Sequence, residues 1–173
     1  MSDLPSTPAR RITMRALLLG DRIETAGLER NDVLSTVPLA FRAGENGVVA
    51  LFRYGVAVLV GMSPLEEEAV IGRLDGRIVG PIKMREEESV QIEVAPDKDD
   101  QLTPSGIIVV KALTNEHTLL IADALATSVV HCRRRRRRCH RRGNGRMHSR
   151  SGRAPWRANC CWSGNLRRKD WWP

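Results

Sequence analysis

Residues 48–60 read VVALFRYGVAVLV, with two apolar runs on either side of Tyr54-Gly55. The first run covers residues 48–53 and the second covers residues 56–60. Both runs are apolar at nearly every position, whereas a half-exposed strand alternates apolar and polar residues, so we expect both faces of each strand to be buried. The segment therefore predicts the strongest strand pair in the chain.

The residues before this pair predict three further elements. Residues 12–19 have the pattern of a buried strand, and residues 21–30 are expected to form a short helix. Residues 33–42 are expected to form an irregular strand that is either an edge strand or a bulged one, because their Pro38 cannot donate a hydrogen bond to a neighbouring strand. The Asn-Gly pair within residues 44–47 predicts a turn.

The sequence Ser63-Pro64-Leu65-Glu66 predicts the start of a helix. Ser63 can cap the first free amides, Pro64 fits the first helical position, and Glu66 can complete a capping box. We expect the helix to end near Leu74 and to bury its apolar side chains. These are Leu65, Ala69, Val70 and Leu74.

Two strands and a second helix are expected after this point. Residues 89–94 alternate apolar and polar side chains, which predicts a half-exposed strand, and residues 106–113 predict another strand. Residues 116–130 are apolar at helical spacing, and the positions expected to be buried are Leu120, Ala124, Leu125, Ser128 and Val129. The resulting order predicts an α+β fold, with a small mixed or antiparallel sheet and two to three helices.

The composition of the chain changes between Val130 and His131. Residues 1–130 hold 13 Lys and Arg against 19 Asp and Glu, a net charge of −6, whereas residues 131–173 hold 15 against 1, a net charge of +14. All four Cys and all four Trp lie after the change. Because residues 131–173 contain one Leu and no Ile, Val or Phe, they cannot build a packed core, and we expect a disordered basic tail.

The composition also predicts the domain organisation. We expect a disordered leader at residues 1–10, a partial α+β domain at residues 11–130, and the tail at residues 131–173. Arg, Cys, Trp and His have GC-rich codons, so a shifted reading frame in a GC-rich gene would enrich them together, and we interpret the tail as out of frame. No apolar run approaches the ~20 residues of a membrane span, so the cytoplasm is the expected compartment.

A search for catalytic or metal-binding residues finds few candidates. The triplets at residues 66–68 and 86–88 offer carboxylates, but charge runs of this kind normally face water. The pairs His131-Cys132 and Cys139-His140 contain zinc-ligand residue types at a spacing that does not fit the common zinc knuckles. We therefore expect no cofactor and no metal, and an enzyme using the glutamate triplets is the weakest of three interpretations.

The arginines of the tail are the candidates for binding nucleic acid. Clustered cations with interspersed Trp can contact phosphates and stack on bases, so this tail would bind RNA in a salt-dependent and non-specific way. The candidate contacts are Arg133, Arg134, Arg135, Arg136, Arg137 and Arg138.

Two segments resemble a known family, that of the required-for-meiotic-nuclear-division protein 1 and the Sad1-interacting factors. Residues 49–61, followed by Ser63-Pro64-Leu65-Glu66, are similar to the family's strand–turn–strand–helix. Residues 120–129 are similar to its later Ala-Leu-Ala-x-Ser-Val segment. The resemblance covers residues 12–130. The matching motif residues are Phe52, Arg53, Tyr54, Gly55, Ala124, Leu125, Ala126 and Ser128.

The resemblance implies a non-enzymatic scaffold or accessory factor that acts by oligomerisation. Eukaryotic members of the family are associated with mitochondria, where one supports translation of inner-membrane proteins, and the resemblance therefore implies a relative of factors for mitochondrial translation or membrane organisation. Most members end in a membrane anchor, which we do not expect here. No catalytic residues carry over, and Arg53, Tyr54 and Gly55 are expected to shape a tight strand connection. The rival interpretation is a nucleic-acid-binding protein that uses residues 131–173.

Overall fold

The computed structural model describes residues 10–28 and 32–143, with side chains described up to Arg135. The expected leader, apart from Arg10, and the tail from residue 144 onward lie outside the described residues. Within them the chain forms ten strands, two α-helices and a 3-10 turn at Asp75–Arg77. The helices are α1 (Pro64–Leu74) and α2 (Asn115–Gly143). The strands are β1 (Arg10–Leu18), β2 (Arg22–Ile23), β3 (Val33–Thr36), β4 (Leu39–Ala43), β5 (Gly47–Phe52), β6 (Val56–Val60), β7 (Ile78–Val79), β8 (Glu86–Val94), β9 (Gln101–Leu102) and β10 (Ile108–Val110).

Eight of these strands form one mixed sheet in the order β3-β4-β5-β6-β1-β8-β10-β9. All neighbours are antiparallel except β8 and β10, which run parallel. The short strands β2 and β7 pair separately. The α+β class expected from the sequence is confirmed, and the sheet is larger than expected.

Each face of the sheet packs against one helix. Alternate residues of the central strands point to opposite sides, as the two-residue period of a strand requires. On the α2 face, Met14, Val58 and Ile92 pack with Ala122 and Val129 of α2. On the opposite, α1 face, Leu17, Val49, Leu51 and Leu59 pack with Val70, Ile71 and Leu74 of α1. The strands β5 and β6 thus lie between two apolar layers, which confirms the predicted burial on both faces.

The turn between β5 and β6 closes directly onto the end of β1. Gly55 adopts φ +92° and its carbonyl oxygen accepts a hydrogen bond from the backbone of Leu19 at 2.9 Å. A Cβ atom on Gly55 would overlap the carbonyl oxygen of Gly20. Only glycine therefore satisfies both the backbone conformation and the close approach of the two chain segments.

The predicted helix at residues 21–30 is wrong. Residues 21–28 form β2 and a turn, in which Gly27 has φ +72°. Ile23 is fully buried and pairs with Ile78 of β7, so a partner more than fifty residues later in the chain determines the local structure. Residues 29–31 are outside the described residues.

The predicted edge strand at residues 33–42 is a hairpin. The chain turns at Val37-Pro38, so Pro38 lies between β3 and β4 and needs no partner on a neighbouring strand. The strand β3 forms the edge of the sheet, which agrees with the expected edge position. The strand predicted at residues 106–113 is shorter than expected, since β10 spans Ile108–Val110.

The start and end of α1 agree with the sequence, and Val70 and Leu74 are buried as expected, but the rest of its buried face differs. Leu65 is 82% exposed and Ala69 is exposed, whereas Glu67 and Ile71 are buried. The buried positions are three and four residues apart, as a single helical stripe requires, and the stripe includes a glutamate. The burial expected at Leu65 and Ala69 is therefore wrong.

The second helix continues beyond the change in composition. It ends at Gly143 instead of near Val130, so the backbone of residues 131–143 is helical where a disordered tail was expected. Arg is a good helix former, and residues 131–142 contain no Gly or Pro. Its buried stripe agrees with the expectation only in part. Val129 is fully buried as expected, and Leu125 and Ser128 are half-buried. Leu120 and Ala124 are exposed, and Ala122 and Ala126 are fully buried instead.

None of the helices in the described ranges combines the length and apolar content needed to cross a bilayer.

The close approach at Gly55 gives a test of the fold. We expect Gly55→Ala to lower the free energy of unfolding by at least about 2 kcal/mol, because it adds a left-handed backbone penalty to a clash with backbone atoms. Gly72→Ala is the matched control. Gly72 is an exposed residue of α1, and no atom lies within 4 Å of a Cβ added to it. Gly72→Ala should therefore raise the free energy of unfolding by up to about 1 kcal/mol. Urea denaturation of both variants measures these changes in the free energy of unfolding. Equal changes in the two variants would contradict the close packing at Gly55.

Candidate functional site

The two segments that resemble the family motifs meet in the structure. Tyr54 projects from the β5–β6 turn, and its ring centroid lies 5.3 Å from that of Phe52. Burial of the ring raises the pKa of the Tyr54 hydroxyl, the charge of Asp123 of α2 acts in the same direction, and hydrogen bonding by Thr127 of α2 opposes both. The turn and the helix are thus joined through one tyrosine.

The other motif residues have mixed environments. Phe52, Gly55 and Ala126 are buried, and Leu125 and Ser128 are half-buried. The exposed motif residues are Arg53, Tyr54 and Ala124. The motif side chains therefore contribute mainly to the contact between the sheet and α2.

The first residues of the expected tail lie against the body. The guanidinium of Arg133 is 3.7 Å from Asp21 Oδ1, and the Arg133 side chain is only 14% exposed. The sulfur of Cys132 lies 2.9 Å from Glu88 Oε1. Arg134 and Arg135 are exposed, and the side chains of Arg136, Arg137 and Arg138 are outside the described part of the chain.

One member of each glutamate triplet meets at Arg15. Arg15 lies on β1 and points to the α1 face, where its Nη1 donates to Glu67 of α1 and its Nη2 donates to Glu87 of β8 at 2.6 Å. The hydrogen bond with Glu87 raises the pKa of Arg15 above its ordinary value, burial opposes this, and the charge of Glu67 adds to it. The side chain of Glu67 is 9% exposed, so Arg15 supplies the charge that its burial requires.

The remaining members of the triplets point elsewhere. Glu66 accepts hydrogen bonds from the backbone and hydroxyl of Ser63, both at 2.8 Å, and from the Glu45 backbone at 3.3 Å. These bonds, chiefly that with the Ser63 backbone, lower the pKa of Glu66. Glu68 is exposed, and Glu88 lies beside Cys132. The two triplets do not converge as one group of carboxylates.

A second ionic cluster lies on the same face of the sheet, toward the other end of β1. Glu93 of β8 accepts a hydrogen bond from Lys98 at 2.8 Å and one from Arg11 at 3.3 Å. The bond with Lys98 is the main cause that lowers the pKa of Glu93, burial opposes it, and the charges of Lys98 and Arg11 support it. Carboxylates held in this way remain ionised at neutral pH and are poor proton donors.

Sequence reasoning missed the roles of Arg15 and Glu67. A signal was present, because Arg15 interrupts a strand predicted to be buried and a charge in such a strand needs a partner. That partner, Glu67, lies on a helix some fifty residues later in the chain, and no local sequence pattern identifies it. Among the side chains described at residues 10–28 and 32–135, no three from His, Cys, Asp or Glu form a group suited to a metal ion.

Comparison of the chain with models of protein families, with curated proteins and with solved structures finds no match.

The Arg15 cluster gives a second prediction. We expect Arg15→Met to lower the free energy of unfolding by about 1–3 kcal/mol, because Glu67 is left buried without its charged partner. Arg15→Met/Glu67→Leu should recover most of that loss, since no buried charge remains. Arg11→Met is the control and should cost less, because Lys98 still pairs with Glu93. A double variant as unstable as Arg15→Met would contradict this account.

Proposed function

We propose that this chain is a non-enzymatic scaffold or accessory protein that acts through self-association. The observation that carries the non-enzymatic part of the proposal is the structural role of the clustered carboxylates, whereas self-association is what the family resemblance implies. Glu66 caps α1, while Glu67 and Glu87 neutralise Arg15. The residues that would be the first candidates for acid–base chemistry are therefore occupied in holding α1 to the sheet.

The resemblance to the family of required-for-meiotic-nuclear-division protein 1 and the Sad1-interacting factors extends the proposal. Eukaryotic relatives are associated with mitochondria, and we propose that this chain is related to factors that support mitochondrial translation or membrane organisation. The contact between Tyr54 and α2 supports this extension, because it joins the two segments on which the resemblance rests. The change in composition after Val130 supports a separate proposal, that residues 131–173 are encoded out of frame, which the nucleotide sequence of the gene tests.

Self-association is tested by sedimentation velocity on the full chain. The experiment is run in a reducing agent, so that the four Cys residues cannot cross-link copies. We expect the mean sedimentation coefficient to rise as the concentration increases from about 1 µM to about 100 µM, since association follows mass action. A coefficient that stays at the value of a 19.3 kDa monomer throughout would overturn the proposal.

A second candidate function is nucleic-acid binding by the basic segment. The observation that favours it is the helical backbone of residues 131–143, which carries the arginines on one continuous helix. Arg134 and Arg135 face solvent, whereas Arg133 pairs with Asp21 and is less available to a phosphate.

Salt dependence tests this candidate. Binding of a fluorescent single-stranded RNA should weaken as salt increases, and Arg134→Ala/Arg135→Ala should reduce the slope of log K against log salt by roughly 1.4, at about 0.7 per phosphate contact. Arg42→Ala/Arg73→Ala removes two exposed arginines from the body and serves as the control. Equal slopes for both double variants would exclude a contribution from Arg134 and Arg135.

A further inference from the structure

The exposed side chains of α2 between Glu116 and Arg135 lie on one face of the helix. They fall within an arc of about 120°, given 100° per residue. We call this face the outward stripe of α2. Its members are Glu116, Leu120, Asp123, Ala124, Thr127, His131, Arg134 and Arg135.

The outward stripe changes character along its length. Its amino-terminal part is acidic, with Glu116 and Asp123, and its carboxyl-terminal part is basic, with Arg134 and Arg135. Between them lie the small side chains of Ala124 and Thr127. Leu120 belongs to the acidic part and is 69% exposed, although it is a large apolar residue.

We propose that the outward stripe of α2 is a self-association surface that binds a second copy of the chain with the two helices antiparallel. This inference rests on the proposed function, because it names the surface through which the scaffold associates. An antiparallel pair centred near residue 125 brings Glu116 of each copy opposite Arg134 of the other. A parallel pair would place like charges opposite each other along the whole stripe.

The geometry of a two-fold pair fits the spacing of the charges. Glu116 and Arg134 are 18 residues apart, about 27 Å along a helix, and both lie on the stripe. A two-fold axis makes the same patch meet itself, so one acidic and one basic end suffice for two sets of ion pairs. The helix dipoles also oppose each other favourably in this orientation.

The chemistry of the stripe sets the strength of the contact. The small side chain of Ala124 allows the helices to approach closely at the centre, the partly exposed ring of Tyr54 lies near Thr127 and Asp123 there, and Leu120 adds apolar area. Exposed ion pairs contribute little individually and are screened by salt, so the dimer should be weak and salt-sensitive. The proposed pairing depends on the side chains that residues 131–135 carry in this chain, whichever reading frame of the gene encodes them.

Charge reversal at the two ends of the stripe tests the proposal on the full chain. The variant Glu116→Lys/Asp123→Lys makes the stripe wholly basic, and Arg134→Glu/Arg135→Glu makes it mainly acidic. Each variant alone should associate at least about tenfold more weakly than the wild type. An equimolar mixture should restore association, because the two variants are complementary in the antiparallel pair.

Two double variants away from α2 serve as controls. Glu24→Lys/Glu68→Lys and Arg42→Glu/Arg73→Glu change the net charge by the same amounts at exposed positions of the body. They should leave association within about twofold of the wild type if the surface is specific. Circular dichroism and thermal unfolding check that every variant folds, and Leu120→Gln is a milder variant that should also weaken association.

The outcomes separate this inference from the proposed function. A wild-type chain that remains monomeric overturns both. A wild type that dimerises while both α2 variants dimerise equally well overturns the inference and leaves the scaffold proposal standing. The antiparallel pair is supported if each α2 variant associates weakly, the equimolar mixture regains association, and the controls associate as the wild type does. Failure of the mixture to restore association overturns it.

Discussion

Both faces of the central strands are buried, and this burial determines where the two helices pack. All five residues of β6 are buried, and the neighbouring β1 and β5 contribute side chains to both apolar layers. A strand of this kind is stable only when each face is covered, since every exposed large apolar side chain forgoes about 1.5–3 kcal/mol of burial free energy. The positions of α1 and α2 follow from this requirement.

Covering both faces brings charged residues into contact with the core, and the ionic clusters accommodate them. Arg15 lies in β1 between residues that point into the α2 layer, and its own side chain points to the α1 face. It is paired there with Glu67 and Glu87, so α1 is joined to the sheet by both apolar packing and charge. On the other face, Asp21 and Glu88 lie beside Arg133 and Cys132, where the basic end of α2 meets the acidic body.

The parts of the fold that were predictable from sequence are those governed by local chemistry. The strand pair around Tyr54-Gly55 and the capping box at Ser63 were visible because their signals lie within a few residues. The parts that were not predictable depend on distant partners. Residues 22–23 form a strand because Ile78 and Val79 pair with them, and Glu67 is buried because Arg15 neutralises it. The helix was not predicted to continue through residues 131–143, because the basic charge and the lack of Ile, Val and Phe after Val130 indicated a disordered tail, although Arg favours a helix.

Native-state hydrogen exchange on the full chain distinguishes a sheet covered on both faces from one that is loosely covered, because amide protection reports which backbone segments open together. We expect amides of β1, β5, β6 and the buried stripe of α2 to exchange only by global unfolding, with β3 and β9 opening at lower free energy. We also expect the amides of Cys132 and Arg133 to be protected as part of α2. Exchange of the β5 and β6 amides as fast as those of the edge strands, or unprotected amides at residues 132 and 133, would contradict these expectations.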